Sequence, residues 1–166
     1  MSFSSGITNE ELFSEAQSCI KDGKLFVYSL KSPTPENKDV LKTIVLEYLK
    51  CIQLEKSYNL LCLCLEEIIS NSVKANIKRA FFISNNLNIN NKDDYEKGMK
   101  TFKEKGLSKI KDPFFVNKIN TMGLYVKLYF TLINGCLTIT AKNNSVMSKE
   151  ELERVHKKLE LSEGKT

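Results

Sequence analysis

Apolar residues recur along the chain with two different periods, and the places where the period changes divide it into elements. Thr8-Asn9-Glu10-Glu11 has capping-box spacing, a hydroxyl acceptor followed three residues later by a carboxylate. It opens a helix predicted to run to about Lys21, with Leu12, Ala16 and Ile20 inward. Residues 1–6 carry no such pattern and are expected to be loose. Asp22-Gly23 is a turn signal, and LFVYSL at 25–30 is rich in strand formers, so it reads as β. Pro33 and Pro35 interrupt the pattern. Thr34 can cap a helix with Pro35 at its first position, and Leu41, Val45, Tyr48 and Ile52 carry that helix across 36–56.

After a short break at 57–59 comes the longest patterned run, LLCLCLEEIISNSVKANI at 60–77, predicted as a helix to about Lys78. Leu61, Leu65, Ile68, Ile69, Val73 and Ile77 form a broad apolar face on it. Residues 80–84 are short and apolar and read as a strand, and 85–91 read as a polar turn. Residues 92–121 read as a charged, mostly helical insertion with breaks near Lys105-Gly106 and Asp112-Pro113. Tyr95, Phe102, Leu107, Phe114 and Phe115 give that insertion apolar groups to pack. Two alternating runs follow, 124–131 with Leu124, Val126, Leu128 and Phe130 on one face, and 137–142 with Leu137, Ile139 and Ala141 on one face. Tyr125 and Tyr129 fall on the opposite face of the first run. The Asn134-Gly135 pair between the runs is a strong hairpin signal. Ser148-Lys149-Glu150-Glu151 is a second capping box, opening a helix to about Leu161, and the closing SEGKT reads as a frayed end. This order predicts an α+β fold, a two-layer α/β sandwich with a mixed, largely antiparallel sheet. It is expected to form one domain over 1–166 with a helical insertion at about 85–122.

Composition narrows the function classes. A chain of 166 residues with 42% hydrophobic and 27% charged residues can bury its own core. The net charge of +5 is mild, and Arg79 and Arg154 are the only arginines, so nucleic-acid binding is not expected. The abundance of Asn and Lys reads as biased base composition. Cys19, Cys51, Cys62, Cys64 and Cys136 are odd in number and mostly lie in apolar patterns. They read as reduced core residues of a cytoplasmic protein, and the single His156 supplies no Cys/His zinc set. Neither a signal peptide nor an 18-residue apolar run is present, so no membrane span is expected.

Candidate chemistry sits in the long helix. Glu67, Asn71 and Lys74 follow at i, i+4 and i+7 and share a face. A glutamate one turn before an asparagine could position or deprotonate a water, the asparagine oxygen could ligate Mg²⁺, and the lysine could face phosphate. The same row could equally be the polar edge of an amphipathic helix. LEEIISNSVKAN at 65–76 resembles the first conserved box of the histidine-kinase-like (GHKL, Bergerat-fold) ATPases, through Glu67, Asn71, Ser72, Lys74 and Ala75. The resemblance implies Glu67 as the water-activating base, Asn71 as the ligand of the Mg²⁺ that bridges the phosphates of ATP, and Lys74 near the phosphates or ribose. The second box of that family, Asp-x-Gly-x-Gly after a hairpin strand, corresponds to LTITAKNNSVM at 137–147. Asn143 takes the place of the adenine-recognising aspartate and Ser145 that of the first glycine.

Nothing after residue 161 supplies the glycine-rich lid and last strands of the family. The resemblance thus implies an ATP-binding domain of a signalling or regulatory ATPase, incomplete or degenerate, with weak or no turnover. The alternative is a non-catalytic signalling or scaffold module that keeps the fold without nucleotide. A partner would then meet the helical insertion, through Phe102, Phe114 and Phe115, or an open sheet edge. Lys97, Lys100, Lys103 and Lys105 read as a solvated face or as an anion-contacting lid. His156 reads as a surface residue.

Overall fold

A computed structural model describes residues 8–30, 35–106 and 113–163. Expectations for residues 1–6, the Thr34 cap, Leu107 and residues 164–166 lie outside them. The elements in order are α1 (Asn9–Asp22), β1 (Phe26–Leu30), α2 (Pro35–Cys51), a 3₁₀ turn (Glu55–Ser57) and α3 (Tyr58–Ser84). Then come α4 (Lys92–Thr101), a π-type turn (Phe102–Gly106), α5 (Pro113–Thr121), β2 (Val126–Ile133), β3 (Cys136–Asn143) and α6 (Lys149–Glu163). The chain is α+β and falls into two compact units, Met1–Val73 with Tyr125–Asn143, and Lys74–Leu124 with Asn144–Thr166.

The first unit is built on a three-stranded sheet of order β1-β2-β3, antiparallel at both ladders. Phe26, Tyr28 and Leu30 of β1 and Val126, Leu128 and Phe130 of β2 are buried along one face. Cross-strand register puts Leu137, Ile139, Ala141 and Asn143 of β3 on that same face, opposite Leu132, Phe130, Leu128 and Val126. Helix α2 covers it with Leu41, Ile44, Val45, Tyr48 and Leu49, and the Tyr48 ring stacks on Phe130 at 5.3 Å. Ala16 of α1 is fully buried. Each large side chain so buried contributes on the order of 2 kcal/mol. The Tyr28 hydroxyl donates to the Asn37 carbonyl at 3.0 Å, and burial pushes its pKa up to about 12. The hairpin turns on Asn134 and Gly135, both at positive φ (51° and 75°), the geometry that an Asn-Gly pair favours.

In the second unit, Ile77, Ala80, Phe81 and Phe82 at the end of α3 are buried, as are Tyr95, Phe102 and Ile119. Phe81 meets Phe102 at 5.5 Å and Phe82 meets Tyr95 at 6.1 Å. Gly98 of α4 lies against Phe82, where a Cβ would come within 2.5 Å of the ring. Both expected capping boxes form, Thr8 with Glu11 and Ser148 with Glu151.

Four corrections to the sequence reading have physical causes. Residues 80–84 are the last turns of α3, not a strand. Ala80, Phe81 and Phe82 continue the buried helical face, and this packing overrides the β preference of a short aromatic run. Helix α2 ends at Cys51, before the expected 56. Gln53 enters the left-handed region (φ 57°), and the Leu54 amide bonds back to the Leu49 carbonyl at 3.0 Å. That is a Schellman ending made without glycine. Leu124 lies outside β2, because its amide closes the same ending on α5 through the Ile119 carbonyl, with Gly123 left-handed. Finally, of the five cysteines only Cys62 is buried, while Cys51, Cys64 and Cys136 are exposed and Cys19 is intermediate. Position in an apolar run does not decide which face of a helix a cysteine takes.

Candidate functional site

Helix α3 presents Glu67 and Asn71 on a face different from its buried one. Leu65, Ile69 and Val73 are buried, whereas Glu67 and Asn71 are exposed. Ile68, expected on the buried face, is 45% exposed and lies beside this polar row. The Asn71 amide nitrogen donates to Glu67 Oε1 at 2.9 Å, an i, i+4 contact that joins carboxylate and carboxamide. The preceding Glu66 is bound differently. It pairs with Lys42 of α2 at 2.9 Å, which lowers the Glu66 pKa and raises that of Lys42.

Asn143 ends β3, paired with Val126. Its side-chain amide donates to the Ser72 carbonyl of α3 at 3.4 Å. Within the first unit, therefore, Asn143 reaches the backbone of α3 at the residue next to Asn71, 72 positions earlier in sequence. Glu67 stands one turn earlier on that helix. Register explains the meeting. Asn143 shares the face of β3 that holds Leu137, Ile139 and Ala141, the face covered by helices.

Lys74 and Ser145 belong to the second unit. Lys74 is half-buried. The Ser145 hydroxyl donates to Asn76 Oδ1 at 2.6 Å, and Asn76 is 3% exposed. Asn144 donates to the Gly123 carbonyl at 2.8 Å. The strand exit is thus tied down by side-chain hydrogen bonds. Asn76 had no role in the sequence reading. Its signal is a carboxamide at the i+7 place of the apolar row Ile69, Val73, Asn76. A buried position there requires a partner.

The second unit also holds a cationic group that spacing does not reveal. Glu151 of α6 accepts from the Ser148 amide through Oε2 (3.0 Å) and pairs with Lys78 of α3 through Oε1. Burial, then the like charges of Arg154 and Arg79, push the Lys78 ammonium below its ordinary value. The Arg154 guanidinium lies 5.2 Å over the ring of Tyr95, which is 2% exposed. Arg154, Tyr95, Lys100 and Lys103 line a cavity of about 390 Å³ together with Glu96, Met99 and Glu104. Phe102 is buried, so it offers no surface to a partner, while Phe114 is 57% exposed. Among the described residues no group of three or more His, Cys, Asp or Glu side chains is arranged to hold a metal, and no helix is long and apolar enough to cross a membrane. His156 is exposed.

No protein-family model matches the chain, and no solved structure matches it. A protein of Treponema pallidum (strain Nichols), described as an uncharacterized protein, is 37% identical over 95 residues. The match covers 57% of this chain and 18% of that protein.

Proposed function

We propose that the first unit binds a Mg²⁺-nucleotide in the manner of the histidine-kinase-like ATPases, with weak or no turnover. The observation that carries this reading is the hydrogen bond of Asn143 to the carbonyl of Ser72, the neighbour in sequence of Asn71, whose own amide is bonded to the Glu67 carboxylate. The amide nitrogen of Asn71 faces Glu67, which leaves its oxygen, the hard neutral donor that Mg²⁺ accepts alongside waters and phosphates. Asn71 would hold the ion, and the ion would neutralise phosphate charge. Asn143 would accept from the adenine amino group through its carboxamide oxygen. Slow or absent turnover follows from the missing glycines. Ser145 and Asn144 hold the strand exit in place, where a glycine turn would let the backbone approach phosphate.

Calorimetric titration with a non-hydrolysable ATP analogue tests the reading. Saturable binding is expected to strengthen with Mg²⁺, and Asn71→Ala is expected to weaken the Mg²⁺-dependent part about tenfold, or about 1.4 kcal/mol. A folded chain that shows no saturable binding, or an Asn71→Ala variant that binds as the parent does, overturns it.

One observation favours a second reading, a non-catalytic interaction module. Leu49, Ile52, Leu54, Leu60, Leu61 and Leu137 line an apolar groove of about 550 Å³ in the first unit, and Leu54 and Leu60 are 49% and 67% exposed. Leu60→Asp is expected to abolish partner binding under this reading and to leave nucleotide affinity unchanged under the first.

A further inference from the structure

We propose that the cavity walled by α4, the π-type turn and α6 in the second unit binds the phosphoryl group of a small phosphorylated molecule. Glu151 and Arg154 stand at i, i+3, the spacing of an intrahelical ion pair. Both oxygens of Glu151 are already occupied, one by the Ser148 amide and one by Lys78. Arg154 makes no ion pair with Glu151. Arg154 instead lies over the buried Tyr95 ring at 5.2 Å, a contact that does not use its N–H donors.

Two further cations, Lys100 and Lys103, line the same cavity. Among the described residues none of these three has a carboxylate within ion-pair distance. Glu96 and Glu104 also line the cavity and offset part of the charge, which leaves its lining with one excess positive charge. Arg79 adds like charge nearby, and the Lys78 ammonium, paired with Glu151, is held below its ordinary value by burial first and then by Arg154 and Arg79. A planar guanidinium held against a ring, with two mobile ammonium groups beside it, matches the chemistry of a tetrahedral oxyanion. The fork of donors takes two oxygens and the lysines act as point charges. A cavity of about 390 Å³ is of the size that holds a small ligand.

The proposal is independent of the nucleotide reading and uses none of its residues. The test is calorimetric titration of the full chain with inorganic pyrophosphate, without Mg²⁺ and at low ionic strength. One saturable site is expected. Arg154→Ala should weaken it about tenfold or more, and Arg154→Lys should keep part of the affinity because charge remains while the fork is lost. Asn71→Ala should bind as the parent does, which separates this site from the nucleotide site. Far-ultraviolet circular dichroism checks folding, and the Lys100→Ala, Lys103→Ala double variant decides the matter if Arg154→Ala fails to fold. Three results overturn the proposal. They are absence of saturable binding, equal weakening by Lys21→Ala in the first unit, and equal affinity for citrate through Arg154.

Discussion

Single residues in this chain are decided by where their polar atoms end up. Tyr28 shows it in a form that pH can read. Its side chain is 3% exposed, and the raised pKa of about 12 means that the folded state holds the phenolic proton more tightly than the unfolded chain, whose value is near 10.0. The associated stability is complete below about pH 10 and is lost as pH rises toward 12. At most it amounts to about 3 kcal/mol. Tyr48 shifts in the same direction, chiefly through burial and then through Cys19 and Cys51. Tyr28→Phe is expected to lower stability at pH 7 by about 1 kcal/mol through the lost bond to Asn37, and to make the alkaline decline shallower. Urea denaturation at pH 7 and pH 11 measures both effects, and an unchanged alkaline decline would refute the assignment to Tyr28.

Elements follow the sequence where their ends are written in side chains, and depart from it where the ends are written in backbone geometry. The two capping boxes were legible because hydroxyl and carboxylate sit at fixed spacing, and the Asn134-Gly135 turn because few other pairs adopt two positive φ angles. The end of α2 was not legible, because Gln53 takes the left-handed place usually given to glycine. Nor was the end of α3, where Asn86 does the same at φ 54°. Part of the candidate site was legible for the same reason. Helical spacing alone puts Glu67 beside Asn71, whereas the contact of Asn143 with Ser72 depends on strand register and chain closure. The contact of Arg154 with the Tyr95 ring likewise joins α6 to α4, and no spacing rule contains that. Packing between elements yields a direct test. Gly98→Ala gains up to about 1 kcal/mol of helix preference. It also sets a Cβ 2.5 Å from the fully buried Phe82 ring, and such overpacking costs about 1–3 kcal/mol. The clash wins, so a lower urea midpoint is expected, and a higher one would show that Phe82 yields without cost.

At the scale of the whole molecule, charge and hydrophobic surface are distributed unevenly between two units. The first keeps a sheet backed by helices, an exposed polar row on α3 and an apolar groove. The second keeps an aromatic core and a cationic cavity. The molecule also carries a chemical clock in its hairpin. Asn134 is exposed and followed by glycine, which leaves the next amide nitrogen unhindered for attack on the asparagine carboxamide. The attack expels ammonia, and hydrolysis of the resulting imide leaves aspartate or its β-linked isomer. Each conversion adds a carboxylate and lowers the net charge of +5 by one. Stored protein is therefore expected to split over time into two charge forms on cation exchange, with peptide mapping locating the change at Asn134. Asn134→Asp should elute from the start with the later-formed species and stay a single charge form, because Asp-Gly makes the same turn and its isomerisation through the imide loses and regains water with no change of charge. The isomer with the lengthened backbone has no such equivalence, so age would act on this protein first at the join between β2 and β3.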